Sequence, residues 1–177
     1  MNEESFFSYI KSDLARLDEP TLHNFLKHYL FPKGEVFRYQ VWLRATHFAK
    51  KRKISKYTIG LFTYWRLRHY EFKYGIHGNS NIEIGKGLKI VHDSGIFLNC
   101  EKIGENCTFF PNVMLGKSPQ GGIPIVEDNV TVYTGAVCVG NIILHNGAII
   151  ATNAFVHHDV ESNVVMGGVP AKVIKRM

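Results

Sequence analysis

Long hydrophobic runs are missing from this 177-residue chain. The longest candidate, Tyr57 to Trp65, falls far short of the ~20 apolar residues that a membrane-spanning helix needs. No secretory leader is visible, because Met1 to Ser8 is acidic and lacks an apolar core. Cysteine is scarce and odd in number: Cys100, Cys107 and Cys138. Their spacing fits no zinc site, and their places in the sequence read as buried thiols of a reducing cytoplasm. No nucleic-acid reading motif accompanies the basic residues, which sets that class of partner aside.

Glycine is nearly absent from one part of the chain. Residues 1–74 hold two of the 16 glycines but 17 of the 22 aromatics, with a net charge near +7. Residues 75–177 hold the other 14 glycines and carry a net charge near −1. The first region reads as helical. Phe6, Phe7, Ile10, Leu14 and Leu17 recur at helical spacing, as do Phe37, Val41, Trp42 and Ala45, with breaks at Pro20 and at Pro32-Lys33-Gly34. The run Lys50-Lys51-Arg52-Lys53, then Lys56 and the segment Tyr57 to Tyr70, reads first as a helix with a solvated basic rim. A second reading is an interfacial segment on the inner face of the cell membrane, with Leu61, Phe62, Trp65 and Leu67 among Arg66, Arg68 and Lys73.

The second region repeats every six residues. Aliphatic residues open hexads at positions 84, 90, 96, 103, 109, 115, 126, 132, 138, 144, 150 and 156. One hexad cannot bury its own apolar residues, so a short period repeated this often means stacked coils. Three hexads make a triangular coil, and twelve make about four. Two breaks interrupt the period, one extra residue near Lys102 and five at Gly121 to Ile125, and both are expected at one corner of the prism. The expected architecture is mainly β, with an N-terminal helical region over 1–74 and a repeat domain with its tail over 75–177.

Five segments stand out as motifs: Tyr74-Gly75-Ile76, IGKGLKIVHDSGIFLN (Ile84 to Asn99), IGENC (Ile103 to Cys107), EDNVTVYTGAVCVGNI (Glu127 to Ile142) and GGVPAKVIK (Gly167 to Lys175). Through these residues the chain resembles the hexapeptide-repeat acyltransferases, which fold as left-handed parallel β-helices. It is most similar to their branch of serine acetyltransferases and capsule or exopolysaccharide O-acetyltransferases. The resemblance implies that His92 is a general base. It would take a proton from an acceptor hydroxyl as that oxygen attacks the thioester of acetyl-CoA, a role suited to an imidazole that titrates near neutrality. It further implies a homotrimer, with acetyl-CoA as donor in a groove between subunits, held near Lys117, Thr134, Gly135, Thr152 and Asn153. Lys172, with Lys175 and Arg176, would face the CoA phosphates. No metal is expected. His145, His157 and His158 read as exposed residues without a chemical role.

Three positions depart from the serine enzymes. His77 stands where those enzymes carry the aspartate that orients the base, so His77 is the orienting candidate, with a backbone carbonyl as the alternative. Val91 replaces an aspartate, and Gly122-Ile123-Pro124 replaces Arg-His-Pro. Hydrogen bonds to charged groups contribute about 1.5–3 kcal/mol each, so these losses shift the expected acceptor from free serine to a sugar hydroxyl of a capsule or exopolysaccharide precursor. Serine O-acetyltransfer is the alternative, in which Arg38 or Arg44 would hold the carboxylate. A trimeric scaffold without catalysis is the non-enzyme alternative. The protein is expected in the cytoplasm.

Overall fold

A computed structural model describes residues 5–31, 34–51, 58–78 and 81–177. Pro32, Lys33, Arg52, Lys53, Lys56 and Tyr57, named above, lie outside the described residues. Four helices precede the strands: α1 (Phe6–Ala15), α2 (Leu22–Leu30), α3 (Glu35–Lys51) and α4 (Ile59–Tyr74). Ser5 caps α1 by accepting from the Ser8 N–H, and Thr21 caps α2 by accepting from the Asn24 N–H, each filling one of the orphan donors at a helix start. Gly75 ends α4 at φ 64°, a left-handed value that glycine adopts without cost.

The strands form a left-handed parallel β-helix with three faces and about five turns. Face one stacks Ile76–Gly78, Ile96–Leu98, Met114–Gly116, Val137–Val139 and Phe155–Val156. Face two stacks Glu83–Ile84, Lys102–Ile103, Ile125–Val126 and Ile143–Leu144. Face three stacks Lys89–Ile90, Thr108–Phe109, Thr131–Val132, Ile149–Ile150 and Val164–Gly168, and the antiparallel strand Ala171–Arg176 closes it. Inward residues at matching register fill the axis, for example Ile84, Ile103, Val126 and Leu144 along face two, all buried. Cys100, Cys107 and Cys138 are free and buried, as the repeat positions imply.

The hexad register differs from the sequence reading in the first coil. Phe97 pairs with Met114 and Leu98 with Leu115, so the third hexad opens at Leu98 rather than at position 96. Ile90 pairs with Phe109, and the Phe97 N–H bonds to the Val113 carbonyl, which leaves two more residues between these points than the second coil has. The added pair is His92-Asp93, and one residue is saved before Ile103. The two insertions therefore leave at different corners: His92-Asp93 between faces three and one, and the Lys117 to Ile125 segment between faces one and two. Periodicity missed this because Ile96 and Leu98 are both aliphatic and both buried.

A β-solenoid must cover the backbone groups of its first coil, and here helical side chains do so. Leu88 is satisfied on both sides: its N–H donates to Asp13 Oδ1 at 3.0 Å, and its carbonyl accepts from Gln40 Nε2 at 2.7 Å. Arg44 donates to the carbonyls of Ile84 and Gly85, each at 2.7 Å, while a two-pronged pair with Asp13 at 2.9 Å neutralises it. Arg16 reaches the carbonyls of Gly87 and Asn106 and the hydroxyl of Thr108. Beneath face one, Glu71 accepts from the Gly78 N–H and from Arg68. Asp13, Gln40, Arg44 and Glu71 are all buried.

Along α1, Ile10 and Leu14 are buried as the helical stripe requires, but Phe7 is exposed, as is Leu17 beyond the helix end. On α4, Leu61, Phe62 and Trp65 are exposed and Leu67 is buried. The neighbouring cations are engaged: Arg66 lies over the rings of Trp42 and Tyr70, and Arg68 pairs with Glu71. Among the described residues, no helix is long and apolar enough to cross a membrane.

His47 on α3 gives the cap a pH dependence. Its Nε2 is buried and has no hydrogen-bond partner among the described residues. Burial, reinforced by the nearby charges of Arg44 and Lys50, lowers its pKa from the ordinary 6.5 to about 4. The unfolded chain thus binds this proton at higher pH than the folded one. The stability this provides is complete above pH 6.5 and is lost as pH falls toward 4. Melting temperatures recorded between pH 7 and pH 4 should fall across that window, and His47→Phe should flatten the fall. An unchanged slope in the variant would contradict this account of His47.

Candidate functional site

The corner between faces three and one carries the candidate site. Backbone hydrogen bonds run up it in register: Val91 N–H to Phe109, Phe110 N–H to Val132, Tyr133 N–H to Ile150, and Ala151 N–H to Met166. Val91, Phe110, Tyr133, Ala151 and Gly167 therefore form one column, and Lys172 continues it through its pairing with Gly167. At ~4.8 Å per strand, this column spans about 24 Å. His92 leaves the solenoid at its first-coil end, and a positive side chain stands at the other.

His92 is exposed and adopts φ 64°. A left-handed backbone is uncommon for a residue with a Cβ. The added pair His92-Asp93 places it here, turning the chain outward just past Val91. Among the described residues, no side chain hydrogen-bonds to His92. His77 lies on face one, where its ring stacks on Phe97 at 5.0 Å and meets Phe72 edge-on at 6.3 Å. The structure thus places His77 among aromatic rings and forms no hydrogen bond between it and His92.

Thr134, Gly135, Thr152 and Asn153 come together on the same corner in the third and fourth coils. Thr134 and Gly135 are half-buried, and Thr152 and Asn153 are exposed. Gly135 and Asn153 have left-handed backbones at φ 72° and 56°, as Gly95 and Asn112 do below them. A Cβ on Gly135 would come within 2.1 Å of Asn153 Oδ1. Glycine is thus required there by the stacking of the corner itself. Asparagine serves at the alternate coils because it tolerates this backbone region better than other residues with side chains. The pattern of Gly and Asn at equivalent places is a sequence signal that hexad counting overlooked.

Lys117 is exposed but sits at the other end of face one, away from this column. The segment after it turns back on its own coil: the Gly121 N–H donates to the Ser118 carbonyl at 2.9 Å, and Ser118 Oγ donates to the Gly121 carbonyl at 3.0 Å. Ile123 is half-buried within it. Arg38 and Arg44 are both occupied. Arg38 bonds to the carbonyls of Tyr29 and Phe31 and to the Tyr74 hydroxyl, and Arg44 to Asp13 and the first coil. Neither is free to hold a substrate carboxylate, contrary to the sequence expectation. His145 lies 3.1 Å from Glu127, and His157 stacks on Phe155, both away from His92's coil. Among the described residues, no cluster of His, Cys, Asp or Glu is arranged to hold a metal ion.

No family model matches the chain. It is similar to the serine acetyltransferase of Bacillus licheniformis, 29% identical over 96% of this chain and 78% of that protein. It is similar also to the serine acetyltransferase of Buchnera aphidicola subsp. Schizaphis graminum, 28% identical over 86% of this chain; the chain spans only 59% of that relative's length. Among solved structures, it superposes on a Neisseria gonorrhoeae serine acetyltransferase in complex with serine. The TM-score is 0.77 at 24% identity, over 96% of this chain and 69% of that one. A Brucella abortus serine acetyltransferase in complex with coenzyme A matches at TM-score 0.77 and 22% identity, over 95% and 67% of the respective chains. At these identities the structural matches speak to the fold alone. The sequence matches run through the helices as well as the coils.

Proposed function

We propose that this chain, whose solenoid and likeness to serine acetyltransferases point to the hexapeptide-repeat acetyltransferases, is an acetyl-CoA-dependent O-acetyltransferase of the serine acetyltransferase type. One observation carries the reading. A single corner holds His92 at one end and Lys172 at the other, with the compact or polar residues Thr134, Gly135, Thr152 and Asn153 between them. Such a track suits a long thin donor with a reactive thioester at one end and phosphates at the other. In this reading Lys172 supplies a point charge to the phosphates, and the threonine hydroxyls border the pantetheine arm.

His92 acts as general base. Its neutral imidazole takes the acceptor's hydroxyl proton as the oxygen attacks the thioester carbonyl. The tetrahedral intermediate collapses by breaking the C–S bond, and the imidazolium returns its proton to the departing thiolate. No covalent enzyme intermediate is needed, because the thioester is already activated. The left-handed backbone and the outward turn favour this role, since they set the imidazole clear of the coil, where an acceptor can reach it.

L-Serine is the acceptor the relatives favour. The sequence expectation of a capsule or exopolysaccharide sugar finds no support among them, for the relatives and structures named above are serine acetyltransferases. One observation favours a second reading, a small uncharged alcohol: Val91 and Ile123 offer no charge, and Arg38 and Arg44 are engaged elsewhere. With purified protein and acetyl-CoA, thiol release should be fastest with L-serine in a panel that includes N-acetylhexosamines. His92→Ala should lower that rate ~10²–10⁴-fold while CoA still binds. Equal turnover in the variant would remove His92 as the base, and a faster rate with an uncharged alcohol would overturn serine.

The assembly belongs to the same proposal. His77, Phe97, Met114, Val137 and Phe155 form an outward ladder along face one. Phe97, Met114 and Phe155 are 48%, 44% and 36% exposed, which makes a continuous apolar strip in the single chain. A homotrimer buries such a strip on every copy, because cyclic closure leaves none open. Light scattering at micromolar concentration should return three chain masses, and Met114→Lys should lower the value. A wild-type result of one chain mass would contradict the trimer.

A further inference from the structure

The column above His92 holds one feature that the donor track does not explain. Phe110 and Tyr133 occupy its second and third coils, and their rings stack at 4.6 Å with planes 28° apart. Tyr133 remains 38% exposed, and its hydroxyl makes no hydrogen bond among the described residues. The positions on either side of the pair are smaller: Val91 before it, Ala151 and Gly167 after it. The corner is thus a narrow track interrupted, one to two strand spacings from His92, by a raised aromatic shelf. Strand alternation sets Tyr133 outward, because the inward place is filled by Val132, which is fully buried.

We propose that Tyr133, backed by Phe110, is a donor-binding residue: the flat surface on which the thioester end of the acyl-CoA arm rests before His92. The proposal rests on the donor reading of the track given above. A ligand whose phosphates face Lys172 and whose reactive carbon reaches His92 must cross Ala151 and then Tyr133, because all lie on one register column. The pantetheine end offers planar amides and a polarisable sulfur. An aromatic face attracts both without requiring a charge. The shelf also gives the arm a fixed height over the corner, which sets the carbonyl at the level where His92 emerges from its outward turn. The ring face does this and the hydroxyl does not, so tyrosine and phenylalanine should be interchangeable here.

The experiment uses the full chain and CoA itself, titrated by calorimetry into wild type, Tyr133→Phe, Tyr133→Leu and Tyr133→Ala. Melting profiles recorded alongside report folding, and Tyr133→Leu keeps an apolar group on Phe110 should the alanine variant be damaged. The expected result is wild-type affinity in Tyr133→Phe and a loss of roughly 3- to 10-fold in Tyr133→Leu and Tyr133→Ala. The KM for acetyl-CoA should rise in parallel, with that for the acceptor unchanged. Unaltered CoA affinity in both truncated variants overturns the proposal, and a rise confined to the acceptor's KM assigns the shelf to the acceptor instead. A wild type that binds no CoA fails differently, since it removes the donor reading on which Tyr133 depends.

Discussion

A stack of coils has an open end, and the polar groups left there decide what must sit beneath it. In this chain the constraint falls on Leu88 and Ile84, whose backbone groups have no coil below to bond with. An unpaired buried backbone group costs about as much as a lost hydrogen bond. The helices meet that demand with Asp13, Gln40 and Arg44. The Asp13–Arg44 pair is sealed from water, and removing one partner of such a pair costs about 3–5 kcal/mol because the other charge is stranded. The aromatic weight of the N-terminal region follows from this need, since a polar seal works only inside an apolar collar. Tyr39, Leu43, Leu67, Tyr70 and Tyr74 supply that collar and join the solenoid core directly.

The coil held by this seal is also the coil that carries His92. Its two added residues lie just past Leu88, Lys89 and Ile90, so the strand leading into the outward turn is pinned from below by Asp13 and Gln40 and from above by the second coil. In the proposed role of His92 as base, a frayed solenoid end would fix it poorly and a capped end fixes it well. On that reading the helical region serves the site by holding its coil, without contributing a side chain to the corner. For the same reason Arg44 and Arg38, which look available in the sequence, are not available to a substrate.

Much of this was legible in the residues. The six-residue period identified the solenoid, and the contrast in glycine and aromatic content separated helices from coils. His92 stood out through the motif around it. The period could not locate the added pair at His92-Asp93, because Ile96 and Leu98 are equally good openers and only strand pairing tells them apart. Nor could it show the column, since Lys117 and Thr134 look alike when counted along hexads yet leave at different corners. The seal was invisible for another reason. Asp13, Gln40 and Arg44 sit on helix surfaces with ordinary polar spacing, and only their partners 40 to 75 residues away give them meaning. Tyr133 is read only beside Phe110, 23 residues earlier in sequence and one coil away in space.

The claim on which these points depend is that helical side chains close the first coil as completely as one coil closes the next. Amide hydrogen exchange in the wild-type protein tests it directly. The Leu88 N–H, held by the Asp13 carboxylate, should exchange as slowly as the Thr108 N–H one coil inside, which donates to Val130 at 2.9 Å. Exchange at Leu88 as fast as at the exposed turn residue Gln120 would show that the end is open, and would contradict the account.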